Sequence, residues 1–287
     1  MLCTQPIRIP VKEFGKIVDY REVPCGTCPG CQANYKDAWA LRVKHELDCH
    51  KHSVYITLTY NDWHLSLQNL EYKDGSINSL QKRELQLFIK RFRKALGDLK
   101  IRYFSCGEYG SEDYTQRPHY HIIFFGVSDQ HELFKDKVPV YKKGKLDHYY
   151  IEHWPLWPHG HIELDAKSIT SRAGSYITKY IAKDKGLKSK TYYSDRNKKP
   201  VFLLMSRKPG IGCLGIKKHA EYYRSHMYGS LGNRKIGLSR YVVDKVSDAL
   251  GIDYKELRAL ERSKMPAKKI NIKQYERNLN DKNSKFH

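Results

Sequence analysis

Residues 117–126 read RPHYHIIFFG, a pattern that indicates a buried strand with two histidines at its start. The apolar run IIFF at residues 122–125 is typical of a strand inside a protein. His119 and His121 precede this run and are two residues apart, so both imidazoles leave the same face of the strand. Two neighbouring imidazoles are a ready pair of ligands for a divalent metal ion. The chain contains two other His-x-His pairs, but both lie in polar or turn-like segments.

The chain is strongly basic, with 52 Lys and Arg against 31 Asp and Glu and a formal net charge of +21. Such a charge favours a polyanionic partner, and nucleic acid is the obvious one. The 22 tyrosines suit a single strand, whose bases stack on aromatic rings. No apolar run has the length of a membrane span, and the N-terminus lacks the pattern of a secretory signal. We therefore expect a cytoplasmic protein with no membrane partner.

Three of the seven cysteines form the cluster Cys25-x-x-Cys28-x-x-Cys31. In a cytoplasmic protein this spacing is typical of a metal site or a redox pair rather than of disulfides. A structural zinc ion needs a fourth ligand, and the sequence leaves open whether that is Cys3, Cys49, His45 or His50. Reduced thiols that hold a compact loop are the alternative.

The order of predicted elements indicates an α+β fold with a central antiparallel sheet and helices packed on one face. Strands are predicted at 53–60, 101–109, 118–125, 162–164 and from 201, and helices at 34–47, 81–96, 166–183 and 240–250. We expect a Cys-rich N-terminal segment and helix over 1–50 and the main domain over 51–250, with an insertion near 127–160. A polar, basic tail is expected over 251–287.

The predicted helix at 166–183 contains SYITKYIAK, in which Tyr176 and Tyr180 are one turn apart. Their Cβ atoms would lie about 6 Å from each other on one helix surface. Lys179 and Lys183 each follow a tyrosine by three residues, and a nearby cation favours the nucleophilic phenolate. A tyrosine face that only packs on the sheet is the alternative. Glu108, in CGEYG on the preceding strand, is the best candidate for a further ligand beside the two histidines.

The two histidines around one bulky residue, the sheet and the two-tyrosine helix resemble the HUH endonucleases, which include rolling-circle replication initiators and relaxases. The match is closer to the replication initiators of gokushoviruses, a group of microviruses with single-stranded DNA. It rests on six motifs in a shared order: PCGTCPGC, YITLTYND, CGEYG, RPHYHIIFFG, YITKYIAK and MSRKPGIG. The resemblance covers about residues 23–212, and the C-terminal part matches no motif. The middle residue Tyr120 is bulkier than the family pattern suggests.

The resemblance implies a nickase that acts on a single-stranded origin. By its pattern, His119, His121 and Glu108 bind Mg²⁺ or Mn²⁺, and Tyr176 or Tyr180 attacks a phosphodiester. The products are a 5′-phosphotyrosine and a free 3′-OH for a host polymerase, with a host helicase as a further partner, in the cytoplasm of the bacterial host. A non-enzymatic zinc-knuckle protein that binds single-stranded nucleic acid is the alternative, and a relaxase or transposase of the same superfamily is a third possibility.

Overall fold

The computed structural model describes residues 3–71, 78–110, 116–165, 169, 177, 193 and 195–263. Its helices are α1 (Pro29–Leu47), α2 (Asp62–Glu71), α3 (Lys82–Ala95), α4 (Cys213–Lys218), α5 (Ala220–His226), α6 (Arg240–Leu250) and α7 (Tyr254–Ser263). Its strands are β1 (Ile7–Glu13), β2 (Lys16–Val23), β3 (Ser53–Tyr60), β4 (Arg102–Tyr109), β5 (Pro118–Phe125), β6 (Val138–Lys142), β7 (Lys145–Ile151), β8 (Gly160–Asp165), β9 (Phe202–Met205), β10 (Gly229–Leu231) and β11 (Arg234–Ile236).

A seven-stranded sheet in the described part of the chain has the order β6-β7-β8-β3-β5-β4-β9. Each neighbouring pair in it is antiparallel, so the predicted α+β fold with a central antiparallel sheet is confirmed. The strand that begins with the two histidines, β5, lies between β3 and β4. It is therefore an interior strand with a neighbour on each side.

Helices cover both faces of this sheet, and the expectation of a single covered face was wrong. On one face α3 packs through Leu85, Phe88 and Phe92 against even-numbered residues of β3 and β5. On the other face Val43 of α1 packs with odd-numbered residues such as Tyr55. The physical reason is the apolar run of β5, which has large apolar side chains on both faces and must bury both.

The N-terminal segment, whose irregular sequence predicts no strands, contains the hairpin β1–β2. It is a separate two-stranded ribbon with no buried residue in either strand. Pro10 pairs with Tyr20 in it. A proline is tolerated there because a two-stranded ribbon has free edges where a missing N–H removes no interior bond.

The expected insertion extends the main sheet, because β6 and β7 add to it beside β8. Trp154 and Trp157 from the following loop are buried in the core of the α3 face. Helices α4 to α7 build a second small core with Leu41 of α1. The start of the predicted tail is helical instead: α7 lies within 251–287, and Tyr254 is fully buried.

Where the structure describes the chain, no helix combines the length and the apolar character needed to span a bilayer.

Candidate active site

Polar side chains form two rows across the sheet face that α1 covers. The row nearer the strand ends contains Glu108 of β4, His119 of β5, Thr59 of β3 and His161 of β8. The next row contains Cys106, His121, Thr57 and Glu163 from the same four strands. Because side chains alternate along a strand, the spacing of two residues between the histidines repeats on every neighbouring strand. The predicted shared face of His119 and His121 is thus confirmed.

Both histidines are held through their Nδ1 atoms by threonines of β3. The Oγ1 atom of Thr57 lies 3.0 Å from Nδ1 of His121, and that of Thr59 lies 3.0 Å from Nδ1 of His119. The His121 ring also stacks on Tyr55, with 5.9 Å between ring centroids. When Nδ1 is engaged in this way, the ring orientation is fixed and Nε2 is the nitrogen left to bind a ligand.

Glu108 reaches the second histidine diagonally across the strands. Its Oε1 atom lies 3.0 Å from Nε2 of His121, and both side chains are nearly buried. The predicted neighbourhood of this carboxylate and the histidine pair is therefore present. In this arrangement the Nε2 proton of His121 bridges the imidazole and the carboxylate.

The imidazole of His119 is held in its neutral form. Burial lowers the pKa of His119 to about 4, and the neighbouring charges of His121, Arg117 and His161 act in the same direction. Burial likewise lowers the pKa of His161. A neutral imidazole keeps a lone pair for a metal ion near pH 7, whereas a protonated one has none.

The ligand atoms of His119, His121 and Glu108 do not all lie within 4.8 Å of one another. Among the described residues, only the four cysteines Cys3, Cys25, Cys28 and Cys31 bring three or more possible ligand atoms that close. The donor types still fit a divalent cation, because imidazole and carboxylate are common ligands of Mn²⁺ and carboxylate of Mg²⁺. The metal role of the histidine pair therefore stays a prediction.

Tyr176, Tyr180, Lys179 and Lys183 lie outside the described residues. Ile177, which follows Tyr176 directly, is described and fully buried. It packs into the core of the sheet face that carries the histidines, together with Phe104 and Ile123. The chain next to the first tyrosine is therefore anchored on the same face as the candidate metal ligands.

Basic side chains flank the end of the sheet where the first row lies. Arg117 donates to the backbone oxygen of Tyr60, 2.6 Å away, and forms an ion pair with Asp62. Lys198 lies over the ring of Tyr109, at the end of β4, with 4.5 Å from Nζ to the ring centroid. Cations at this edge are suitably placed to attract a phosphate backbone.

Sequence reasoning missed the contributions of β3 and β8 to this face. The signal for Thr57 and Thr59 was available, because both are polar positions of the alternating strand SVYITLTY. His161 and Glu163 gave no comparable signal, since their place beside β3 depends on a crossover between distant parts of the chain. Cys25, Cys28 and Cys31 do come together, and the fourth member of their cluster is Cys3.

Comparison with known proteins identifies relatives of this chain. The family described as replication-associated protein ORF2 has a sequence model that matches residues 53–185, which include β3, β5 and the two tyrosines. No solved structure matches the chain.

Two relatives match most of the chain. The replication-associated protein VP4 of Bdellovibrio phage phiMH2K is 29% identical over 262 residues, which cover 85% of this chain and 76% of the relative. The replication-associated protein ORF2 of Spiroplasma virus 4 is 27% identical over 279 residues, covering 86% of this chain and 79% of the relative. A shorter match, 27% over 168 residues, links it to the replication-associated protein ORF4 of Chlamydia phage 1. The family expected from the order of the motifs is confirmed, and the chain belongs to the ORF2 family of replication-associated proteins.

Proposed function

We propose that this protein starts rolling-circle replication of a phage genome by nicking single-stranded origin DNA in the cytoplasm of the bacterial host. The observation that carries the proposal is the sheet face on which Thr57 and Thr59 orient two histidines beside Glu108. The replication-associated names of the relatives support the biological role. The net charge of +21 supports binding to DNA.

His119, His121 and Glu108 would hold a divalent cation, Mg²⁺ or Mn²⁺. Such an ion polarises the scissile phosphate and stabilises the negative charge that develops there. The two threonines keep both imidazoles in one orientation, so little rearrangement is needed when a phosphate arrives.

A tyrosine of the segment around Ile177 acts as the nucleophile. Its phenolate oxygen forms a bond to phosphorus, and the bond from phosphorus to the 3′ oxygen breaks. The 3′ oxygen takes up a proton from the solvent, and the 5′ phosphate stays esterified to the tyrosine. Lys179 and Lys183 favour the phenolate because a nearby cation lowers the pKa of a phenol.

The second tyrosine allows the strand to be closed after one round. A host polymerase extends the free 3′-OH while a host helicase unwinds the duplex ahead. The second phenolate then cleaves the regenerated origin, and the new 3′-OH attacks the first phosphotyrosine. Each ester exchange conserves the number of phosphoester bonds, so rejoining needs no nucleotide hydrolysis.

The test is a covalent adduct on a single-stranded origin oligonucleotide in the presence of Mn²⁺. We expect a protein–DNA species that survives denaturation, and peptide mapping should locate the ester on Tyr176 or Tyr180. Tyr176→Phe and Tyr180→Phe should each retain some nicking but fail to release closed circles, and the double variant should form no adduct. Tyr141→Phe, at an exposed tyrosine of β6, is the matched control.

The metal ligands are tested by the double variant His119→Ala/His121→Ala. It should lose cleavage but keep most of its DNA affinity, because phosphate contacts dominate that affinity. His153→Ala, at an exposed histidine, should behave as the wild type. Full cleavage by the double variant, or an adduct on a tyrosine elsewhere, would refute the assignment.

A non-enzymatic single-strand-binding protein is the second candidate, and the four-cysteine cluster favours it. It predicts DNA binding with metal at the cysteines alone and no adduct under any condition. The adduct assay therefore separates the two candidates directly.

A further inference from the structure

The four cysteines Cys3, Cys25, Cys28 and Cys31 have the spacing of ligands around one metal ion. The Sγ atom of Cys3 lies 3.5 Å from that of Cys25 and 3.8 Å from that of Cys28, and the Sγ atoms of Cys25 and Cys31 are 4.0 Å apart. In a tetrahedron with Zn–S bonds of about 2.3 Å, the sulfur atoms lie about 3.8 Å apart. All four Sγ atoms lie within 4.8 Å of one another.

Backbone N–H groups point at these sulfur atoms. The N–H of Cys28 donates to Sγ of Cys25 at 3.3 Å, and the N–H of Cys31 donates to Sγ of Cys28 at 3.5 Å. The N–H of Cys25 donates to Sγ of Cys3 at 3.3 Å. Donors aimed at sulfur stabilise the thiolate, which is the form that binds metal.

The cluster joins three segments that otherwise share little. Cys3 precedes β1, Cys25 follows β2, and Cys28 and Cys31 lie at the start of α1, where Cys28 is the N-cap. Neither strand of the hairpin has a buried residue, and Phe14 at its tip is fully exposed. A two-stranded hairpin without a core is at best marginally stable alone, so this ribbon needs a cross-link at its base.

We propose that Cys3, Cys25, Cys28 and Cys31 bind one structural Zn²⁺ that fastens the β1–β2 hairpin to the start of α1. Four thiolates form the ligand set typical of closed structural zinc sites. Two disulfides are a poorer explanation, because they would require only pairwise proximity, whereas here all four sulfur atoms are mutually close. The site is distinct from the histidine face and does not depend on the nicking proposal.

The test is elemental analysis of the full-length protein purified under reducing conditions, with no metal added. We expect about one zinc ion per chain, and the same content in His119→Ala/His121→Ala. Cys3→Ser should lose most of the zinc. Cys49→Ser, at an exposed cysteine outside the cluster, is the matched control and should keep it. Removing zinc from the wild type with a chelator should open residues 7–23 to protease while the central sheet stays intact.

Cobalt gives a second measurement that needs no variant. Cobalt-substituted wild-type protein should show the absorption of a tetrahedral thiolate site, which keeps the proposal testable if Cys3→Ser is insoluble. Protein without zinc whose four cysteines form disulfides overturns the proposal. So does zinc that persists in Cys3→Ser, or iron in place of zinc.

Discussion

At the residue scale, the candidate site depends on two threonine hydroxyls as much as on the histidines. Thr57 and Thr59 each lie 3.0 Å from the Nδ1 atom of a histidine on the neighbouring strand. Partners behind a metal-binding imidazole fix its orientation, and their loss usually weakens metal binding substantially.

The double variant Thr57→Val/Thr59→Val should therefore bind Mn²⁺ about 10–100-fold more weakly than the wild type. Valine preserves the side-chain shape and β propensity, so the sheet should remain intact. Isothermal titration with Mn²⁺ measures the change, and circular dichroism checks the fold. The control Thr57→Ser/Thr59→Ser keeps both hydroxyls and should stay close to wild type. Wild-type affinity in the valine variant would show that the hydroxyls do not orient the ligands.

A second residue-scale feature is the buried histidine of α1, His45, which is only 3% exposed. Burial lowers the pKa of His45 to about 4, and the charges of Lys44 and His219 add to this effect. Nε2 of His45 bonds to the hydroxyl of Tyr223 on α5. The folded protein therefore disfavours the imidazolium at this position.

This residue makes the fold sensitive to mild acid. The unfolded chain takes up a proton at its ordinary pKa of about 6.5, whereas the folded chain resists until about pH 4. Stability is therefore fully present above pH 6.5 and is lost as the pH falls from there towards 4, by at most about 3 kcal/mol. Urea unfolding between pH 7.5 and 4.5 should show this loss, and His45→Gln should lose less over the same window. Equal slopes for both proteins would exclude His45 as the cause.

At the scale of elements, α1 and α4 approach so closely that glycine is required between them. A Cβ atom built on Gly215 would lie 2.3 Å from the backbone oxygen of His45, and one on Gly212 would lie 2.4 Å from that of Arg42. Both glycines are three residues apart on one side of the contact. Gly212 also has a φ of +77°, which side chains rarely adopt.

Gly215→Ala should therefore destabilise the protein by about 1–3 kcal/mol, because the added methyl forces the two helices apart. Gly237→Ala is the control, since nothing lies within 4 Å of its Cβ position. Thermal unfolding followed by circular dichroism measures both. A melting temperature for Gly215→Ala equal to that of the control variant would mean that the helices can separate without cost.

Element by element, alternation and helical spacing predicted the central sheet well. The strand at 53–60 and the helix at 240–250 agree with the structure at both ends. The hairpin β1–β2 was not predictable, because Pro10 argues against a strand and no buried face imposes an alternating pattern. Helix α4 was hidden by the glycines of RKPGIGCLG, which serve the contact with α1 rather than a loop.

The candidate site was predictable only where one strand carries its residues. His119 and His121 share a face whatever their neighbours are, so their pairing followed from sequence alone. Cys3 could not be chosen over Cys49, because the hairpin that returns the chain to Cys25 was itself unrecognised. The contributions of β8 required the sheet order, which local patterns do not contain.

At the scale of the whole molecule, the net charge of +21 should dominate DNA affinity. Binding of single-stranded DNA releases counterions, with a log–log slope of about −0.7 per phosphate neutralised. With about six phosphate contacts, affinity should fall on the order of 10²-fold between about 50 and 200 mM salt. Fluorescence anisotropy with a single-stranded oligonucleotide measures this slope. We expect His119→Ala/His121→Ala to give the same slope, and a flat salt dependence would contradict an electrostatic interface.

Helix α1 also has a consequence for how the chain can vary. One end of it carries Cys28 and Cys31, while Val43 packs on the histidine face and Leu41 belongs to the C-terminal core. A substitution on this helix therefore has to satisfy three neighbours at once, whereas most other surfaces answer to one. In a saturation library selected for phage propagation, residues 29–47 should accept fewer replacements than α3, whose outer face meets only solvent.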